Sequence, residues 1–352
     1  KMAADEGNIK AMFNCGRMLY DGEGIEINKK EASHYLKMAA DNGHIKAMLM
    51  FGCMLQKGDE IPINKRQAST YFKSAADKGH IKSMVAYAYN LENGVGIIKN
   101  KKEAAFYYKL AAEKGHVDSM FHYACMVENG EGIKINKSEA AQFFKMAINK
   151  NHLESMFRYA CLLYKGEGVD LNLLESSRYF KMAADKGHVE AMFSIGCMFY
   201  KGEGIKANKS VASYYLKMAA DKGNSKAISD FGWMLYKGDG IDENKEEAAH
   251  FFKKMADKGD VNSMFVYGCI LEKNKKNLES NHYLKMAADN GHKKAKEKLI
   301  NDIGIKSVRQ KKTIHFFKFS SNVDENKTVH NSNFILKREE DADIYMKDDI
   351  EV

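Results

Sequence analysis

Apolar and small residues recur from residue 1 to about 300 at a helical spacing that resets every 36 positions. Between Ile45 and Lys57, Met48, Phe51, Gly52 and Leu55 fall three or four residues apart, on one side of an α-helix. The stretch after Asn28 places Ala32, Tyr35, Ala39 and Ala40 in the same way. Each repeat thus predicts two amphipathic helices, here called A (as in 45–57) and B (as in 29–41).

Glycine marks the breaks between them. Gly7, Gly43, Gly79, Gly115, Gly187, Gly223 and Gly259 share one grid with Asn151, and each follows a B helix. A second grid, Gly22, Gly58, Gly94, Gly130, Gly166, Gly202 and Gly238, closes the A helices. Glycine at such places permits the left-handed stop of a helix. Every B helix in this series begins at an asparagine: Asn28, Asn64, Asn100, Asn136, Asn172, Asn208 or Asn244. Its side-chain oxygen can accept an orphaned N–H of the first turn. Glu31, Gln67, Glu103, Glu139, Glu175 and Glu247 stand three residues on and complete a capping box, with Val211 the departure. Eight small residues, from Gly16 and Gly52 to Gly232 and Gly268, sit mid-way along the A helices and predict close helix packing.

No such repeat buries its apolar face alone, so the repeats must stack. The series Ala47, Phe51, Gly52, Leu55, Gly58 and Ile61, repeated as Ala191 to Ile205 and followed by Asn-Lys and a second helix, resembles the Sel1-like repeat family. The resemblance covers residues 1 to about 300 and recurs eight times. It implies an all-α, right-handed superhelical solenoid related to tetratricopeptide arrays, serving as a scaffold for protein partners. The eighth repeat lacks the Gly-x-Gly loop, and 293–301 reads as a closing polar helix. The expected organisation is an array over 1–301 and a largely disordered tail over 302–352. Because Lys1 falls within the end of a helix, the chain is expected to be part of something longer.

Composition narrows the function. No apolar run approaches the length of a membrane span. The net charge of +8 is spread along the chain without the basic face of a nucleic-acid binder. The expected partners are therefore proteins, with no nucleic acid and no membrane, and the chain is expected to be monomeric.

The remaining chemistry-bearing residues read as structural. The Gly-Glu-Gly-Ile loops follow helices, where a phosphate-binding loop would follow a strand. His44, His80, His116, His152, His188 and His292 share their column with Asn8, Asn224 and Asp260, which makes them N-caps of helix A and not metal ligands. Cys53, Cys125, Cys161, Cys197 and Cys269 occupy one column, with Cys15 outside it. Neighbouring repeats lie about 10 Å apart, whereas a disulfide needs Cα atoms within roughly 7 Å. Free thiols are expected, and with them a reducing, cytoplasmic compartment. Met48, Met84, Met120, Met156 and Met192 are core candidates. No cofactor is expected, and no catalytic constellation is visible; the segment is not read as an enzyme.

One column of helix A varies from repeat to repeat: Asn14, Met50, Ala86, His122, Arg158, Ser194, Asp230 and Val266. Three residues further on, the cysteine column is interrupted by Arg17, Tyr89 and Trp233. The candidate partner-binding residues are Met50, Tyr89, His122, Arg158, Ser194, Asp230 and Trp233. In tetratricopeptide arrays the matching stripe lines the concave groove. The alternative reading is a regulatory or substrate-docking arm of a larger enzyme, such as a protein kinase.

Overall fold

The computed structural model describes residues 1–301, and every described element is helical. The expected disordered tail over 302–352 lies outside the described residues. The chain divides into two compact units with a boundary after His188.

In the first unit a short α1 (Met2–Asp5) leads into alternating A and B helices. The A helices are α2 (Ile9–Asp21), α4 (Ile45–Lys57), α6 (Ile81–Asn93), α8 (Val117–Asn129) and α10 (Leu153–Lys165). The B helices are α3 (Lys29–Asp41), α5 (Lys65–Asp77), α7 (Lys101–Glu113), α9 (Lys137–Ile148) and α11 (Leu173–Asp185). In the second unit α12 (Val189–Lys201), α14 (Ser225–Lys237) and α16 (Val261–Lys273) are of type A. There α13 (Lys209–Asp221), α15 (Lys245–Ala256) and α17 (Asn277–Asp289) are of type B, and α18 spans 293–301. Within each unit the main contacts join helices consecutive in sequence.

All seven asparagines cap as the sequence predicts, each accepting from the N–H three residues on; Asn28 Oδ1 accepts from Glu31 N at 2.9 Å. Asn208 caps although Val211 removes the return bond. The A helices other than α16 end in left-handed glycines, such as Gly22 at φ 75°. The loop's second glycine has a further reason. A Cβ on Gly168 would lie 2.3 Å from the carbonyl carbon of Lys137, the first residue of the preceding B helix. The same close approach recurs at Gly96 and Gly132.

The core is the alanine, methionine and aromatic set. Met84, Met156 and Met192 are essentially sealed, as are Phe72, Tyr108, Phe144 and Phe252. Helix A is thin at its centre because the partner side chain fills that space: a Cβ on Gly16 would meet Leu36, and one on Gly52 would meet Phe72.

Consecutive B helices are tied by a ladder at a spacing of 30 residues. Tyr35 Oη donates to Asp5 at 2.7 Å, and Tyr71 and Tyr107 donate to Asp41 and Asp77. Lysines add rungs at the same spacing: Lys109 reaches Glu139 of the next B helix at 2.9 Å, while Lys29 and Lys137 reach Asp59 and Glu167 in the next glycine loop, each at 2.7 Å. This ladder fixes the register between repeats.

Candidate interaction surface

The helical period places the variable column and its neighbours along one side of the A helices. In the first unit Met50 is half-buried and Tyr89 is 52% exposed. His122 is exposed and stacks on Tyr108, with ring centroids 5.1 Å apart. Arg158 is half-buried, and its guanidinium donates to Glu128 at 2.6 Å. Its Nε is buried without a hydrogen-bond partner. Glu128 and Arg158 lie 30 residues apart, so an A-helix rung parallels the B-helix ladder here.

In the second unit Ser194 turns its hydroxyl back onto the Glu190 carbonyl at 2.8 Å. Trp233 is half-buried, edge-on to Phe252 at 5.1 Å and to Tyr236 at 5.7 Å, with the Lys237 ammonium 5.5 Å from its ring centre. Asp230 departs from the expectation of an accessible contact: it is only 4% exposed. It faces the interior close to Cys197, whose thiol is pushed up to about 12 by burial and then by this carboxylate. The column that varies along the sequence therefore passes from exposed at Asn14 and His122 to buried at Asp230 and Val266.

Sequence reasoning missed Asn90. It sits fully buried in a column that elsewhere holds Met18, Met54, Met126, Met198 and Met234. Its Nδ2 donates to Ser69 Oγ at 2.8 Å, whose hydroxyl in turn donates to the Val95 carbonyl, while its Oδ1 has no partner. The one polar residue in an otherwise apolar column was the available signal.

The histidine column caps helix A, with one variation. His44, His116, His152 and His292 accept an N–H through Nδ1, at 3.2 Å for His152 from Ser155 N. His80 instead places Nδ1 2.9 Å from Ser83 Oγ. Several rings stack on a phenylalanine, His44 on Phe13 at 4.3 Å and His292 on Phe265 at 4.3 Å. Burial lowers the pKa of His44, His80, His152 and His292. That keeps Nδ1 free of a proton and able to accept.

All six cysteines carry free thiols, Cys15 and Cys269 buried and the others half-buried. Burial pushes Cys125 up to about 12 and Cys161 up to about 11. Such thiols stay protonated and slow to react. Among the described residues no cluster of three or more His, Cys, Asp or Glu is placed to hold a metal ion. No described helix is long and apolar enough to cross a membrane.

The Sel1 repeat model matches residues 9–44, 45–80, 81–116, 117–152, 153–188, 189–224, 225–260 and 269–292. The chain belongs to the Sel1 repeat family. Among solved structures it is similar to c5321, a protective antigen of uropathogenic Escherichia coli with an SLR fold, at 21% identity and a TM-score of 0.75. That alignment covers 85% of this chain and 65% of c5321, so the chain spans just under two thirds of that protein. A Sel1 repeat protein from Oxalobacter formigenes aligns at 20% identity and a TM-score of 0.68, covering 85% of this chain and 87% of its own. No curated protein matches. At these identities the structural likenesses speak for the Sel1 fold alone. The last matched repeat begins at Cys269, eight residues beyond the start of α16 at Val261, in the repeat that lacks the glycine loop.

Proposed function

We propose that this Sel1 array is an interaction scaffold that holds protein partners on the outward stripe of its A helices and acts by binding, without catalysis. The array 1–301 is the binding module and 302–352 an appended segment. The carrying observation is in the first unit. The column Asn14, Met50, Ala86, His122 and Arg158 differs in every repeat, and Tyr89 breaks the neighbouring cysteine column, while core positions on the same helices, Met48, Met84, Met120 and Met156, stay constant. A stripe that varies while the stack is kept is available to a partner, and Tyr and Arg are common anchors of protein interfaces. Ser194 and Trp233 continue the reading in the second unit, with Asp230 as internal support. The six free thiols, two buried and four half-buried, favour a reducing, cytoplasmic setting.

The test uses the full chain, immobilised and exposed to extract of its source cells, with retained proteins identified by mass spectrometry. A genuine partner should be retained roughly tenfold less by Tyr89→Ala combined with Arg158→Ala. Lys30→Glu and Lys102→Glu, exposed on the B helices, should leave retention unchanged. Helical circular dichroism should be the same throughout. Retention that survives the stripe variants and is lost in the B-helix variants would overturn this placement.

A further inference from the structure

Two rungs of the B-helix ladder are missing at one place. Where a B-helix tyrosine faces an acid in the preceding repeat of the first unit, the hydroxyl donates to it, as at Tyr35, Tyr71 and Tyr107. Tyr179 faces Asn149 instead, and among the described residues its hydroxyl has no hydrogen-bond partner. Lys73 pairs with Glu103 and Lys109 with Glu139, but the equivalent Lys145 makes no ion pair with Glu175. A cavity of about 480 Å³ lies there, between the end of α9 and the first turns of α11. Ile148, Asn149, Leu174, Arg178, Tyr179 and Met182 line it.

The same cavity collects departures from the repeat. Ile148 replaces the alanine found at Ala40, Ala76, Ala112, Ala184 and Ala220. Asn149 is the only non-acidic residue in a column of Asp and Glu, and Asn151 adopts φ 63° where the other repeats use glycine. Leu174, 50% exposed, stands in a column that holds Lys30, Arg66, Lys102, Ser138, Ser210 and Glu246, with a leucine again only at Leu278 in the shortened eighth repeat. Repeats in one chain share the same stacking demands, so the two adjacent departures that line this cavity, Ile148 and Asn149, indicate a demand other than stacking.

We propose that this cleft binds a peptide segment of a protein partner that carries one carboxylate beside an aliphatic side chain. The ladder itself specifies the chemistry. Every filled tyrosine rung in this unit ends on a carboxylate, so the unpartnered Tyr179 hydroxyl takes an acceptor of that kind from outside. Arg178 and the unpaired Lys145 complement its charge, while Glu175 on the wall disfavours a second acid. Leu174 and Met182, 50% and 43% exposed, offer aliphatic surface next to it. The volume lies within the range of ordinary ligand sites, about 300–1,000 Å³. The site is on the B helices and does not depend on the A-helix stripe.

The probes are N-acetyl-Leu-Glu-Leu-amide and its Leu-Gln-Leu counterpart, titrated into the isotopically labelled full chain and followed by amide chemical shifts. The acidic probe should cause saturable shifts confined to residues 148–151 and 174–182, with the glutamine probe roughly tenfold weaker, the worth of one hydrogen bond to a charged group. Asn149→Asp closes the rung from within the chain, and should weaken the acidic probe by roughly tenfold while raising the melting temperature. Tyr179→Phe should weaken it similarly, whereas Tyr89→Ala with Arg158→Ala should not. The proposal is overturned by an absence of saturable shifts, by equal affinity of the two probes, or by unchanged affinity in Asn149→Asp. Any of these leaves the A-helix reading standing.

Discussion

At Gly52 a Cβ would come within 2.5 Å of the Phe72 ring, and at Gly196 within 2.9 Å of Leu216. At Gly232 the nearest atoms, on Phe251 and Phe252, stand at 3.4 Å and 3.5 Å, which is ordinary contact. One substitution in one column therefore has opposite expected effects. Gly232→Ala should stabilise by up to about 1 kcal/mol, the difference in helix propensity. Gly52→Ala should destabilise by about 1–3 kcal/mol, because a sealed aromatic ring has to move. Thermal or urea unfolding of both variants checks the sign. The histidine caps give a second prediction. Burial lowers the folded pKa values of His44, His152 and His292, whereas the unfolded value is about 6.5. The unfolded chain then binds more protons, so this stability is fully present above about pH 6.5 and is lost as the pH falls below it. Asn8 and Asn224 cap the same place without titrating. The melting temperature of His152→Asn should therefore fall less than that of the unaltered chain between about pH 7.5 and 5.5. Equal slopes would show that the cap does not carry the pH dependence.

Among the helices, starts and stops were the most legible features. An asparagine marked the seven B-helix starts from α3 to α15, five of them with Glu three residues on, and the glycine columns marked most of the ends, because a cap needs only neighbours a few residues away. Asn136→Ala should cost about 1 kcal/mol and quicken hydrogen exchange chiefly in α9 and the helices touching it. Exchange that quickens evenly over the whole chain would contradict a stack held by its neighbours. The ladder could not be read in the same way. Its partners lie 30 residues apart against a repeat of 36, an offset that exists only once one B helix leans on the next. The interaction stripe was legible as a column that varies, but variation is not exposure. Asp230 and Val266 vary and are buried, whereas His122 and Tyr89 are open. Asn149 breaks an otherwise acidic column, yet only packing brings it to one cavity with Tyr179 and Leu174.

At the scale of the molecule, each helix within a unit packs chiefly on the ones before and after it in sequence. Stability is then a sum of repeat terms and nearest-neighbour interfaces, and damage should decay along the stack. The ladder's ion pairs help set register but add little to this sum, since their side chains are roughly a third to a half exposed, as at Lys73 and Glu103. The apolar interfaces decide it. Phe72, 2% exposed, fills the space opposite Gly52 and joins α5 to α4. Phe72→Ala should cost about 3–5 kcal/mol by leaving a cavity. Hydrogen exchange should quicken most in α4, α5 and α6, less in α8 and α9, and hardly in α11, with the gradient set by distance along the stack. A uniform loss of protection across Lys1–His188 would instead mean that this unit unfolds as a single cooperative block, with interfaces too strong for any repeat to open alone.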